Sequence, residues 1–364
     1  MKNVLILTNN MNGGGAERVL LTLLQYLPRN QYRVDLCLVY QEGALLDQLP
    51  DDINVTALFE ERNSQTAELI FRDTGALYKR AAKRKYDIEI AFLEGNAVKI
   101  MSKSTNSKAL KIAWVHIDLS CEHYTASIYE NIEQEYLAFS AFDRIFCVSS
   151  AVEDGLKRLF GSRPFPKTFV VFNPIDQGRI QHLAREKELL KHGITFCAVG
   201  RLEEQKGFDR LLEATRQLYV EGFEFQIWLL GEGRLKDTLQ RTCANFHLAE
   251  HIIFLGYQQN PYPYIEQADA LLSTSRTEGL SMVIGEALIL RTPIIATDCS
   301  GQAEALQHGK YGLLVENSER GIYGGMKAFL TGTYTGHELV HSGPERYLPY
   351  QLEQYMRRIC ALLD

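Results

Sequence analysis

Long apolar runs are missing from this sequence. Met1 to Thr8 carry one lysine and a short apolar stretch, Val4 to Leu7, too brief for a signal-peptide core, and no later run approaches the ~20 residues of a membrane helix. A protein neither exported nor embedded in a bilayer is expected, with a cytoplasmic location. Paired cysteines are missing too. Cys37, Cys121, Cys147, Cys197, Cys243, Cys299 and Cys360 are odd in number and scattered, with no C-x-x-C pair and no histidine at metal-ligand spacing. They read as reduced thiols. Net positive charge is absent: 39 lysines and arginines face 45 aspartates and glutamates, a formal charge of -6. That balance argues against a nucleic-acid partner, because neutralising a phosphate backbone needs a basic face. No D-x-D metal motif is present; the nearest pattern, Asp87-Ile88-Glu89, falls in a predicted strand. Neither a metal site nor a cofactor is expected.

What is present is an alternation of β-rich runs and helical stretches over 364 residues, enough for two domains that each bury a core. That alternation predicts an α/β protein with parallel sheets covered by helices. In the first half the strands read as Val4 to Thr8, Arg33 to Val39, Asn54 to Leu58, Ile88 to Leu93, Lys111 to Val115, Arg144 to Val148 and Thr168 to Phe172. Helices are expected at Ala16 to Leu27, Thr74 to Lys85 and Tyr129 to Ala141. Asn173-Pro174-Ile175-Asp176 breaks the pattern, since a residue before proline is held extended, and a hinge is placed there. The alternation restarts with Thr195 to Val199, Phe225 to Leu230, Ile252 to Leu255, Ala270 to Ser273, Pro293 to Ala296 and Gly312 to Val315. Residues 331 to 347, rich in Gly, Thr and His, carry no clear pattern. From Leu348 to Leu363 the apolar residues Leu352, Tyr355, Met356, Ile359 and Leu362 recur at helical spacing, so a closing helix is expected to pack back onto the body. The expected domains are 1–175, 176–345 and the closing helix 346–364.

In open α/β sheets, ligands bind beyond the carboxyl ends of the strands, so residues just after strands deserve most weight. After the first strand come Asn12-Gly13-Gly14-Gly15-Ala16-Glu17-Arg18, where Gly14 and Gly15 would let backbone approach a phosphate at a helix N-terminus. The spacing is not G-x-G-x-x-G, which disfavours NAD, and a glycine-rich turn without a ligand remains the plain alternative. The second half opens with Gly200-Arg201-Leu202-Glu203-Glu204-Gln205-Lys206. Arg201 and Lys206 stand before a helix N-terminus, where a cation opposes the dipole unless an anion is bound. A diphosphate would supply it; pairing of both cations with Glu203 and Glu204 would remove the need. Gly231-Glu232-Gly233 marks a tight turn that a nucleoside could approach. Glu278 and Glu286 bracket Gly279-Leu280-Ser281-Met282, with a helix expected from about Leu280. Simple dipole compensation suits Glu278. A solvated Glu286 fits poorly, because Ile284, Gly285, Ala287 and Leu288 flank it, and a carboxylate in so apolar a stretch needs hydrogen-bond donors such as sugar hydroxyls.

Taken together, these residues resemble glycosyltransferase family 4, the retaining enzymes of GT-B architecture. The likeness runs from the Gly-Gly-Ala-Glu-Arg turn at 14 to 18 to the closing helix. It implies two Rossmann-like domains facing across a cleft, the first for the acceptor and the second for a nucleotide-sugar donor. By that resemblance Glu286 holds the ribose, Glu278 holds hydroxyls of the donor sugar, and the amides of Gly279, Leu280, Ser281 and Met282 bind sugar and phosphate. Arg201 and Lys206 bind the diphosphate, with Gly200, Gly231 and Gly233 beside the donor and Gly15 approaching it from the first domain. His116, after the fifth strand, matches a histidine that faces the donor hexose; taken alone, a histidine there is more often structural. The loop beyond it, with acidic residues at 118 and 122 and Tyr124, does not name the acceptor.

The expected reaction is metal-independent transfer, with retention, of a hexose or N-acetylhexosamine. A UDP-sugar is the expected donor, with a GDP-sugar second. The acceptor would be a glycan or lipid-linked hydroxyl in bacterial cell-surface polysaccharide synthesis. Rival readings are a non-hydrolysing sugar-nucleotide epimerase and a silent nucleotide-sugar-binding protein. Finally, Tyr78-Lys79-Arg80-Ala81-Ala82-Lys83-Arg84-Lys85 concentrates five positive charges on a predicted helix. It reads either as a solvated face or as a peripheral contact with anionic lipid at the inner face of the cell membrane.

Overall fold

The computed structural model describes residues 1–336 and 351–364. Those residues form two compact units, one of Met1–Pro174 with Leu352–Asp364, the other of Ile175–Gln351. The expected start of the closing helix at Leu348 and most of 331 to 347 lie outside the described residues.

The first unit is a parallel sheet of β1 (Lys2–Thr8), β2 (Tyr32–Tyr40), β3 (Asn54–Phe59), β4 (Ile88–Phe92), β5 (Leu110–Val115), β6 (Arg144–Cys147) and β7 (Lys167–Val170), in the order β3-β2-β1-β4-β5-β6-β7. Strands such as β4, buried along their whole length, are what a sheet covered on both faces requires. Its helices are α1 (Gly15–Tyr26), α2 (Ser64–Arg72), α3 (Thr74–Ala81), α4 (Asn96–Met101), α5 (Ile132–Ser140) and α6 (Ser150–Phe160). Helix α6 is bounded by local chemistry. Ser149 caps it by accepting the Val152 N–H, and Gly161 ends it at φ +71°. At the centre, Trp114 packs on Phe92 at 4.9 Å and on Phe146 at 5.2 Å, tying β4, β5 and β6 together.

The second unit holds α7 (Gln177–Ala184), β8 (Thr195–Val199), α8 (Phe208–Val220), β9 (Gln226–Leu230), α9 (Lys236–Asn245), β10 (Ile252–Gly256), α10 (Tyr262–Gln267), β11 (Ala270–Ser273), α11 (Met282–Leu290), β12 (Ile294–Thr297), α12 (Ser300–Ala305), β13 (Leu313–Val315) and α13 (Glu319–Leu330). Its strands are parallel in the order β10-β9-β8-β11-β12-β13. Helix α8 buries Phe208, Leu211, Leu212, Thr215 and Leu218, the three-and-four spacing of one helical face, against Phe196, Leu229 and Leu272 of the sheet.

The last helix, α14 (Leu352–Leu363), completes the first unit. It buries Tyr355, Ile359 and Leu363, so its inner stripe runs through Leu363 in place of the expected Leu362. Lys2 donates to the Leu363 carbonyl at 3.0 Å, Tyr32 donates to that of Cys360 at 3.4 Å, and Arg144 donates to that of Leu362. A second correction concerns the basic run. Helix α3 ends at Ala81, four residues before the expected Lys85. Five like charges destabilise a continued helix, and Arg84 leaves it to pair with Asp35 at 2.8 Å. Lys79, Arg80, Lys83 and Lys85 stay exposed, so the charges occupy a helix end and a turn.

Candidate active site

Each sheet reverses its strand order once, and the loops on either side of a reversal splay apart to leave a crevice. In the second unit the reversal falls between β8 and β11. The loop after β8 carries Gly200 to Lys206, and the loop after β11 carries Thr274 to Ser281. Backbone and side chains stitch them together: the Thr274 hydroxyl donates to the Lys206 carbonyl at 2.8 Å, Gln205 donates to the Thr277 carbonyl at 3.0 Å, and Arg276 grips Asp209 through two bonds of 2.8 and 2.6 Å. Gly207, at φ +65°, lies so close to Thr274 that a Cβ would come within 2.3 Å of its carbonyl oxygen.

This stitching brings Lys206 and Glu278 together. The lysine Nζ lies 2.6 Å from Glu278 Oε1, which also accepts from the Ser275 hydroxyl at 2.7 Å. Glu278 is 7% exposed, so the ion pair is poorly screened. Glu203 and Glu204 do not take up the two cations as the plain alternative required. Both pair with Arg234. The exposed Arg201 side chain has no hydrogen bond or ion pair with another described residue. Helix α11 begins at Met282, two residues after the expected Leu280, and Ser281 provides no side-chain cap. The buried Ser281 and Thr277 hydroxyls lack partners. An uncapped helix start beside unpartnered hydroxyls is suited to an anion, and Arg201 follows β8, the strand next to β11. Glu286, one turn into α11, is also 7% exposed, which rules out a solvated carboxylate; the Tyr262 phenol lies 3.5 Å from its Oε1.

The glycines in this region have packing reasons of their own. A Cβ on Gly231, at φ +144°, would sit 1.8 Å from the Gly200 carbonyl oxygen, and one on Gly233 would sit 2.5 Å from that of Leu202. They let the turns after β8 and β9 interlock, while Gly200 leaves room for the Lys206 stem, 3.2 Å from where its Cβ would be.

In the first unit the strand order reverses between β1 and β4. After β1, Gly14 stands at the N-cap of α1 without a side-chain cap, and Gly15 is the first helical residue. After β5, His116 rests on Phe92 with ring centroids 4.7 Å apart, a structural role, yet its Nε2 is enclosed and unpartnered. Burial pushes its pKa down to about 3, so the ring is neutral at physiological pH. After β4 comes a residue that sequence reasoning missed. Glu94 lies between His116 and Tyr124, accepting from the backbone N–H of the first and the phenol of the second. Its signal in the sequence was an acidic side chain at a strand end, followed by glycine.

Residues 13–179 match the family described as Glycosyltransferase Family 4, and residues 193–331 match Glycosyl transferases group 1. The chain belongs to glycosyltransferase family 4. This family 4 glycosyltransferase is 26% identical over 340 residues to a Campylobacter jejuni protein, spanning 91% of this chain and 90% of that one. The relative is N-acetylgalactosamine-N,N'-diacetylbacillosaminyl-diphospho-undecaprenol 4-alpha-N-acetylgalactosaminyltransferase. The amylovoran biosynthesis glycosyltransferase AmsD of Erwinia amylovora is 25% identical over 332 residues, 88% of each chain. Among solved structures, Anabaena HepE in complex with UDP-glucose superposes with a TM-score of 0.77 at 19% identity, covering 100% of this chain and 99% of that one. Sucrose-phosphate synthase from Thermosynechococcus elongatus reaches 0.80 at 15% identity, covering 100% and 98%. At these identities the structures establish the fold, which is GT-B. Among the described residues no three His, Cys, Asp or Glu side chains converge as a metal site would require, and no helix is long and apolar enough to cross a membrane.

Proposed function

We propose that this glycosyltransferase moves a hexose or N-acetylhexosamine, with retention, from a UDP-sugar bound by the second unit to a hydroxyl of a glycan or lipid-linked acceptor bound by the first. The observation that carries the donor side is the Lys206–Glu278 pair at the strand-order reversal. In a nucleotide sugar the diphosphate and the hexose meet at the anomeric carbon. A cation for one and a carboxylate for the other must therefore be neighbours, as these two are. Arg201 and the open start of α11 add positive potential for the diphosphate, and Glu286 takes the ribose. The Anabaena protein's complex with UDP-glucose supports UDP as the nucleotide, and the Campylobacter protein's name supports an alpha-linked N-acetylhexosamine and a diphospho-lipid acceptor.

The chemistry needs no protein base. The bond from the anomeric carbon to the diphosphate oxygen breaks as charge grows on the leaving group, and Arg201, Lys206 and the α11 amides stabilise that charge. The acceptor oxygen attacks from the same face and passes its proton to the leaving phosphate oxygen. Stabilisation that grows with the leaving charge lowers the barrier more than it tightens substrate binding. For His116, neutral and with an unpartnered Nε2, the family resemblance implies a hydrogen bond to a sugar hydroxyl. The exposed Lys79, Arg80, Lys83 and Lys85 provide for contact with anionic lipid at the cytoplasmic membrane face, where a lipid-linked acceptor would reside.

A thermal-shift panel of UDP-glucose, UDP-galactose, their N-acetylhexosamine counterparts and GDP-mannose tests the donor assignment. A ligand at a hundred times its Kd adds about 2.7 kcal/mol of stability. A clear shift with UDP-sugars is expected. A response to GDP-mannose alone, or epimerisation of the sugar nucleotide without acceptor, would overturn the assignment.

A further inference from the structure

Glu94 is a buried carboxyl that the donor chemistry does not use. It follows β4 at the strand-order reversal of the first unit and is 2% exposed. Both of its oxygens are engaged: Oε1 accepts from the Tyr124 phenol at 2.7 Å and Oε2 from the His116 backbone N–H at 2.8 Å. The backbone on either side is unusual. Leu93 stands at φ +106°, a region that a side chain rarely adopts, and Gly95 at φ +86°, where a Cβ would come within 2.8 Å of Ile128 Cδ1. Backbone strain of this kind persists where the surrounding structure over-determines it, and it gathers at functional sites. Burial pushes the Glu94 carboxyl up, and the nearby Glu17 carboxylate pushes in the same direction.

Tyr124 is the opposite of its partner. Its hydroxyl is held by the buried acid, while the residue is 41% exposed. The loop that carries it is fixed from the other side as well. His123 Nε2 lies 2.6 Å from Glu135, the Thr125 hydroxyl donates to the same carboxylate at 2.5 Å, and Lys99 donates to the Ile128 carbonyl at 2.6 Å. The result is an exposed aromatic ring that is already ordered, at the carboxyl edge of the sheet. A ring held in advance loses little freedom when a flat partner packs on it, and the C–H face of a pyranose is such a partner.

We propose that Tyr124 is an acceptor-binding residue, packing its ring against a pyranose of the acceptor, and that Glu94 is the positioning residue that holds it beside His116. The inference rests on the acceptor role given to the first unit above.

Saturation-transfer NMR with octyl glycosides of glucose, galactose, N-acetylglucosamine and N-acetylgalactosamine tests it without requiring turnover. Wild-type protein should transfer saturation to the sugar-ring protons of at least one probe. Tyr124→Ala should weaken that probe by about three- to tenfold, the value of an aromatic contact. Tyr124→Phe, which keeps the ring and cuts the tether, should fall between. Glu94→Gln should behave like Tyr124→Phe, with an unchanged melting transition and unchanged UDP titration, which a merely structural defect would not leave intact. If Glu94→Gln does not fold, the two substitutions at exposed Tyr124 carry the test. Equal binding of every probe to wild type and Tyr124→Ala, or no binding to wild type, overturns the proposal. Failure of transfer from every UDP-sugar, with Tyr124-dependent sugar binding intact, would instead overturn the proposed transfer from a UDP-sugar and leave the subsite standing.

Discussion

Replacing Glu278 with glutamine separates the donor sugar from its nucleotide. The amide is isosteric and can still accept from Ser275, but it has no charge to offer Lys206, whose Nζ lies 2.6 Å from the carboxylate. Two consequences follow with opposite signs. A sugar hydroxyl loses a charged acceptor, which costs on the order of 1.5 to 3 kcal/mol, or roughly tenfold to a hundredfold in kcat/KM. Lys206 is released at the same time from the partner that competes with phosphate. Free UDP should therefore bind Glu278→Gln as well as wild type or more tightly. Glu286→Gln differs, because the ribose belongs to free UDP and UDP-sugar alike, so both ligands should weaken by the same factor. Calorimetric titration of UDP and the active UDP-sugar into both variants reads this directly, with donor-competition kinetics as a second measure. If Glu278→Gln weakened free UDP as much as Glu286→Gln did, with both variants folded, the assignment of sugar and ribose roles would be wrong.

Turnover should persist in excess EDTA, because Arg201, Lys206 and the α11 start are proposed to neutralise the diphosphate in place of a divalent ion; activity abolished by chelator and restored by magnesium would refute this. The wild-type protein should float with vesicles containing phosphatidylglycerol and not with pure phosphatidylcholine, and a triple charge reversal at Lys79, Lys83 and Lys85 should abolish flotation. Each basic residue near such a surface contributes about 1 kcal/mol. Equal recovery with both vesicle types counts against lipid contact. Gly231→Ala should destabilise the second unit by about 2 to 4 kcal/mol, since its Cβ would overlap the Gly200 carbonyl oxygen at an unfavourable φ. A melting temperature within a degree of wild type would show that the turns can separate without cost.

The strands were legible because parallel strands buried on both faces read as short β-rich runs, as at β4 and β11, with turn residues between them. Helix ends were less so. Nothing in 74 to 85 shows that Arg84 is drawn away by Asp35, a residue 49 positions earlier. The candidate donor residues were visible one at a time, each after a strand, but their grouping was not. Lys206 and Glu278 are 72 residues apart, and only the pairing of β8 with β11 makes them neighbours. The fate of Glu203 and Glu204 depended likewise on where Arg234 lies. Gly231 and Gly233 looked like an opening for a nucleoside, whereas the structure gives them a packing reason that spacing alone cannot reveal. Glu94 escaped notice because its weight comes from strand order: it matters that β4 lies beside β1, and the local sequence does not say so.

The return of the last helix to the first unit has a consequence for how the protein is made. Lys2 and Tyr32 wait for Leu363 and Cys360, which lie 361 and 328 residues further along the chain. At about 5 to 20 residues per second, everything between is synthesised in a delay on the order of ten seconds or more. During that interval the part of the first unit that will bury Tyr355, Ile359 and Leu363 stays incomplete, while the second unit has all of its own strands and can condense as an insertion. The order of completion is thus inverted relative to the order of synthesis: the domain begun first is finished last.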